Sequence, residues 1–170
     1  MRNLHKLYKS TLFMPFTQDP DYYNLVSDLF ELKQVQSLDE FEQHGQISRL
    51  RHTFCVSYLS YKISKKRGLN HRAVARAGLL HDLFYYDWRT AGDNSHRLHG
   101  YRHPGFALKN ALEITKLSEL EKDIIKKHMW PLTISLPNFK ESFIVSLVDK
   151  YCATMEVIYS KKNLRLEKLK

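Results

Sequence analysis

Four histidines and two aspartates fall at positions where the surrounding helical pattern is apolar. In the segment 48–67, His52 shares one helical face with Cys55, Val56, Leu59 and Ile63. The others lie on comparable faces of later segments: His81 and Asp82, His103, His128 and Asp149. A histidine taken singly is more readily a hydrogen-bonded core residue, but a carboxylate on an apolar face needs a cation. No Lys or Arg shares these faces, so the joint pattern favours a metal ion, which imidazole and carboxylate bind well.

Five helices must position these six residues, and the sequence marks most of their ends. We predict helices over 48–67, 71–86, 104–116, 118–130 and 140–159. Gly68 ends the first, and Asn70 caps the second. Pro104 suits a first helical position, whereas Pro131 stops the fourth helix. A capping box over 118–121 starts that fourth helix.

The remaining segments complete an all-α prediction. A helix is predicted over 20–35, and a second capping box over 37–40 starts a short helix that ends at Gly45. The polar stretch 87–101 has no helical period and reads as a loop. No strand pattern is evident, so we predict a single-domain helical bundle spanning 1–170. It comprises a core over about 45–157, an N-terminal helical extension over 1–44 and a basic C-terminal tail over 161–170.

Composition and charge limit the classes of function. The 170 residues carry 27 Lys and Arg against 18 Asp and Glu, a net charge of +9 that suits an anionic partner or solvated helix faces. No apolar run approaches the 18–20 residues (roughly) of a spanning helix, so no membrane partner is expected. Two cysteines without a CxxC spacing favour a reducing, cytoplasmic location. The chain has no P-loop, no HExxH motif and no Ser-His-Asp context.

The six residues lie in the segments RHTFCVSYLSYKISKKRGL, ARAGLLHDLFYYD, RHPGFALKNA, KKHMWP and VSLVDKYCATME. Together these resemble the HD-domain superfamily of metal-dependent phosphohydrolases, in which a histidine on one helix precedes a His-Asp doublet and a distant aspartate. The resemblance covers about residues 45–157. The doublet continues as HDLFYYD, without the glycine-lysine and GYP motifs of the cyclic-dinucleotide enzymes. The resemblance therefore implies the fold and the ligand set and leaves the substrate open.

The resemblance implies one ion held by four residues and a second ion that involves two more. The first set is His52, His81, Asp82 and Asp149, and the binuclear branch adds His103 and His128. A carboxylate can offer one oxygen to each ion, so Asp82 is the expected bridge and the catalytic residue that positions an attacking hydroxide. The expected cofactor is a pair of divalent first-row ions, iron or manganese.

The function implied is hydrolysis of a phosphoester or phosphoanhydride bond in a nucleotide-like substrate. Arg97, His99 and Arg102, in or beside the 87–101 loop, are candidates to bind the remaining phosphate charge. Two other functions stay open: a di-iron oxygenase with the same six ligands, and a non-enzymatic basic module that binds nucleic acid. Nucleic acid is not favoured, because the aromatic residues fit helical core stripes better than base stacking. The expected partner is a phosphorylated small molecule, and the sequence predicts no oligomeric state.

Overall fold

The protein folds as an α-helical bundle with one small hairpin, as seen in a computed structural model that describes residues 2–88 and 98–167. The all-α fold class predicted from the sequence is therefore confirmed. Among the described residues, no helix is both long and apolar enough to cross a membrane. The elements are α1 (Arg2–Leu12), α2 (Pro20–Phe30), α3 (Lys33–Gln36), β1 (Glu42–His44), β2 (Ile47–Ser48), α4 (Arg49–Lys66), α5 (His71–Leu80), α6 (His99–Ile114), α7 (Glu119–Lys127) and α8 (Lys140–Glu167).

Helix α4 is the centre of the bundle and packs against α1, α5 and α8. Thirteen of its residues are buried, including the two large rings Phe54 and Tyr61. Helix α5 approaches α4 closely at Gly78, where a Cβ would lie 2.8 Å from the Cα of Ser57. The Ser57 hydroxyl donates to the backbone carbonyl of Ala75 across this contact. The absent side chain at Gly78 thus brings the end of α5, and with it the His-Asp doublet, against α4.

Three of the predicted helix starts are capped, and the caps at Asn70 and Ser118 are those predicted from the sequence. The side chain of Ser48 accepts a hydrogen bond from the Arg51 N–H at the start of α4, and Asn70 accepts from Ala73 at the start of α5. Ser118 forms the predicted capping box at the start of α7. These caps fix where α4, α5 and α7 begin, because each satisfies a backbone donor that has no partner inside the helix.

The segment before α4 differs from the prediction. The helix predicted over 20–35 breaks after Phe30, and residues 37–40 form a 3₁₀ turn in which Ser37 makes no capping bond. Gly45 has the expected positive φ of 69°, but it turns an antiparallel hairpin between β1 and β2 instead of ending a helix. The prediction of no strands was therefore wrong here, because a left-handed glycine serves a hairpin turn as well as a helix end.

Three helix ends also differ from the prediction. Helix α5 ends at Leu80, not at 86, and beyond its end the backbone carbonyls of Phe84 and Tyr86 accept hydrogen bonds from the Arg49 side chain. Helix α6 begins at His99, so Pro104 lies inside it and forfeits one bond to the preceding turn. Helix α7 ends at Lys127, and α8 continues past 159 to Glu167.

Candidate metal centre

The structure brings together all six histidines and aspartates singled out from the sequence. Each is at most 7% exposed. They come from five places in the bundle: His52 in α4, His81 and Asp82 just after α5, His103 in α6, His128 just after α7, and Asp149 in α8. Because the doublet and His128 follow the last residues of short helices, the chain can turn there and present these side chains to the same interior point.

Asp82 lies at the middle of this cluster, with its two oxygens directed towards different histidines. Oδ2 is 3.5 Å from Nε2 of His81 and 3.8 Å from Nε2 of His52. Oδ1 is 3.2 Å from Nε2 of His103 and 3.5 Å from Nε2 of His128. Asp149 belongs to the first side, since its Oδ1 is 3.2 Å from Nε2 of His52. The cluster therefore has two halves that share one carboxylate.

The histidine rings are oriented by hydrogen bonds on their outer nitrogens. Nδ1 of His81 bonds to the carbonyl of Gly78 at 2.8 Å, and Nδ1 of His128 bonds to that of Ile125 at 2.8 Å. Nδ1 of His103 bonds to the carbonyl of the residue four positions earlier, at 2.9 Å. A carbonyl only accepts, so each Nδ1 carries a proton, and Nε2 is the nitrogen that each ring directs inward.

This arrangement fits a cation. Nε2 of His103 and Nε2 of His128 are 2.8 Å apart, and two lone pairs at that distance repel unless a proton or a metal ion lies against both. Nε2 of His81 and Oδ1 of Asp82 are buried without a hydrogen-bond partner among the described residues. Imidazole nitrogens and carboxylate oxygens at these separations are a suitable donor set for first-row divalent ions. Groups of three from this cluster have their donor atoms within 4.8 Å of one another.

Two buried residues that the sequence analysis did not single out contact the cluster, and Arg49 contacts one of them. Glu156 in α8 lies against His52, with its two oxygens 2.9 and 3.0 Å from Nδ1. Gln43 in β1 donates from Nε2 to Oδ2 of Asp82 at 2.6 Å. Arg49 in turn donates from Nε to Oε1 of Gln43 at 2.8 Å, which orients the amide. Glu156 continues the apolar stripe of Asp149 two turns further along α8, and that spacing could have revealed it.

Two cations lie closer to the cluster than the sequence indicated. Nζ of Lys150 is 3.8 Å from Oδ2 of Asp149 and donates to the carbonyl of His128 at 2.8 Å. Arg49 is fully buried and bonds to three neutral oxygens, while its guanidinium carbon lies 3.6 Å from the centre of the Phe84 ring. The expectation that no Lys or Arg shares these faces was therefore wrong for Lys150, which lies beside Asp149, although it does not replace an ion among the histidines.

Without a bound ion, the histidines are held in different protonation states. Burial alone would lower the pKa of His52, but the negative charge of Glu156 holds that pKa well above its usual value. Burial opposes protonation of His81 too, and Asp82 raises its pKa above the usual value. Burial and two neighbouring histidines lower the pKa of His128 to about 3. The two halves thus differ in protonation: the pKa values of His52 and His81 are raised, whereas that of His128 is lowered.

The two aspartates stay ionised. Burial would raise the pKa of Asp82, but the positive charge of His81 and the nearby His103 hold it well below its usual range. Burial acts on Asp149 in the same way, and a hydrogen bond from His52 together with the nearby His81 lowers its pKa well below the usual range. Both carboxylates therefore offer anionic oxygens at neutral pH, the form in which they bind metal ions.

The predicted substrate-binding residues have different positions. Arg97 lies outside the described residues. His99 begins α6, where its ring stacks on that of His103 with centroids 4.5 Å apart and shares a 3.0 Å hydrogen bond with the Tyr86 hydroxyl. Arg102 is exposed on α6, next in sequence to His103, with its guanidinium carbon 5.8 Å from the Phe106 ring centre. Of these two residues, His99 therefore adjoins the His103 half of the cluster.

Comparison with known proteins gives one informative match. Over 66 residues, the chain is 32% identical to a Bacillus subtilis (strain 168) protein named "Putative phosphohydrolase YueE". The matched segment covers 36% of this chain and 38% of that protein, so the chain spans little more than a third of the length of that relative. No family model matches the chain. No solved structure matches it at a significant level.

Proposed function

We propose that this protein is a metal-dependent phosphohydrolase that cleaves a phosphoester or phosphoanhydride bond of a nucleotide-like substrate. The observation that carries the proposal is the position of Asp82, whose two oxygens face separate pairs of histidines at 3.2–3.8 Å. A carboxylate placed in this way suits two ions at once. The partial match to a protein named as a phosphohydrolase supports the same reaction class.

The residues divide naturally between two ions. His52, His81, Asp149 and Oδ2 of Asp82 would hold the first ion, and His103, His128 and Oδ1 of Asp82 would hold the second. The mixture of nitrogen and oxygen donors suits iron or manganese. A pair of such ions supplies an activated water molecule at neutral pH and neutralises charge on the phosphorus oxygens.

The chain's own side chains have positioning roles in this proposal. The backbone carbonyls hold the histidine rings with Nε2 inward, and Asp82 fixes the spacing between the two halves. The thiols of Cys55 and Cys152 are poor nucleophiles, because burial raises the pKa of each. Neither thiol is therefore expected to attack the substrate, and the proposal assigns that role to water.

The substrate is held by positive groups at the start of α6. Arg102 is exposed beside His103, so its guanidinium can reach a phosphate that lies against the His103 half of the cluster. His99 stacks on His103 and would contact the same phosphate. Arg97, two residues before His99, would complete this anion site. The net charge of +9 favours the approach of an anionic substrate.

The test is phosphate or mononucleotide release by metal-reconstituted protein without oxygen. A hydrolase turns over normally there, because water is its only co-substrate. Asp82→Asn removes the shared charge at nearly constant shape and should abolish release. Asp21→Asn makes the same change at an exposed carboxylate paired with Lys65 and should leave it unaltered. Turnover that requires oxygen and iron would instead support the oxygenase, and equal activity in both variants would contradict the proposal.

A further inference from the structure

Glu156 is a buried carboxylate that lies directly against His52. It is 0% exposed in α8, and its Oε2 is 2.9 Å from Nδ1 of His52. Seven residues separate it from Asp149, so the two carboxylates point from the same face of α8 towards opposite nitrogens of one imidazole. His52 is thus held between an outer carboxylate and an inner one.

The outer partner of His52 differs in kind from those of the other three histidines. Nδ1 of His81, His103 and His128 bonds to neutral backbone carbonyls. A carboxylate accepts the Nδ1 proton more strongly than a carbonyl, and so makes the opposite nitrogen a stronger donor to a metal ion. The difference falls on one half of the cluster only.

The number of donor atoms also favours tighter binding of an ion in the half that contains His52. His52, His81, Asp82 and Asp149 supply two nitrogens and two carboxylate oxygens, whereas the other half has His103, His128 and the second oxygen of Asp82. A buried carboxylate such as Glu156 is costly without a positive charge nearby. An ion on the far side of the His52 ring supplies that charge through the imidazole.

We propose that Glu156 is a positioning residue that makes the His52 half the tighter of two ion sites, so that the ions bind in a fixed order. This rests on the proposed function, because it requires both halves to bind an ion. The first ion occupies the His52, His81 and Asp149 side, and the second occupies the His103 and His128 side. The second ion is then the exchangeable one.

The test is a titration of metal-free protein with Mn²⁺, in which free ion is measured. Wild-type protein should bind two ions with separate dissociation constants, and His103→Ala should remove the weaker step. Glu156→Gln keeps the shape of the side chain and removes its charge. It should raise the smaller dissociation constant by about 10–100-fold and leave the larger one within about twofold. Glu113→Gln makes the same change at an exposed glutamate and should alter neither constant.

The outcomes separate this inference from the proposed function. Wild-type protein that binds no ion contradicts both. Two ions with constants unchanged in Glu156→Gln, or raised equally, contradict the inference alone. A second measurement does not depend on that variant: anomalous scattering from wild-type crystals loaded with one equivalent of Mn²⁺. Density between His52 and Asp149 is expected, and density between His103 and His128 would overturn the proposed order.

Discussion

Removing the metal ions should change the way in which stability depends on pH. In metal-free protein the pKa of His52 and that of His81 are raised above the usual 6.5. The folded state therefore holds protons that the unfolded state releases. Stabilisation by these protons is complete below pH 6.5 and is lost as pH rises through the folded-state values. The metal-free protein should accordingly become less stable above neutral pH.

The size of the effect follows from the number of groups. Each histidine that keeps its proton in the folded state alone lowers the free energy of unfolding by about 1.4 kcal/mol per pH unit. Two such groups set an upper limit of about 2.8 kcal/mol per unit. Each kcal/mol corresponds to about 2–4 °C in melting temperature for a chain of this length. The melting temperature should fall by several degrees for each unit.

The metal-loaded protein should not show this loss of stability, because bound ions displace these protons from the folded state. Each ion stabilises the folded state by about 2.7 kcal/mol at a hundredfold excess over its dissociation constant. Binding releases the protons of His52 and His81, so affinity increases with pH. Added metal should therefore widen the gap between the two melting curves as pH rises.

The assay is thermal unfolding between about pH 6.5 and about pH 8.5, in chelator and in added Mn²⁺. His52→Gln removes one of the two raised groups and should flatten the metal-free slope. His71→Gln changes a histidine outside the cluster and should preserve it. Parallel curves with and without metal, or a metal-free melting temperature that rises over this range, would refute the reasoning.

Three further predictions concern single side chains. Replacing His103 or His128 by Ala should lower the bound metal from two ions to one, as elemental analysis would measure; an unchanged content would make both histidines packing residues only. Arg49→Met removes three charged hydrogen bonds and should lower the free energy of unfolding by about 3–5 kcal/mol in a urea titration, and Arg49→Lys should not restore it, because an ammonium cannot reach three acceptors in one plane. Gly78→Ala places a Cβ 2.8 Å from the Cα of Ser57, and should cost about 1–3 kcal/mol; a melting temperature equal to that of wild type would show that α4 and α5 can separate.

The sequence predicted the six clustered residues because each interrupts an apolar face with the period of a helix. His52 could be assigned from its neighbours three, four and seven positions later, and Asp149 stood out because a carboxylate on such a face is costly. The Ser118 capping box was likewise predicted from residues three positions apart, and the structure contains it. Features of this kind depend on spacing within one element, which a single sequence contains.

The parts that the sequence did not predict depend on contacts between distant elements. Beyond the end of helix α5 at Leu80, the backbone carbonyl of Phe84 accepts a hydrogen bond from Arg49, 35 positions away in the sequence. Gln43 reaches Asp82 across 39 positions of sequence from a two-stranded hairpin. Glu156 was missed for another reason: its spacing was visible, but an isolated glutamate near the end of a helix is more often solvated than buried.

The hairpin determines the shortest segment of the chain that would have to be grafted in order to transfer the site to another protein. Gln43 precedes the segment 45–157 in which the six clustered residues lie, yet its amide contacts Asp82 at 2.6 Å. Arg49 holds that amide with its N–H group towards the carboxylate, so the two residues work as one unit on either side of the turn at Gly45. A graft that starts at residue 45 would transfer every histidine and aspartate and leave Asp82 without this donor. The smallest portable unit therefore starts at β1, before the first metal-binding candidate.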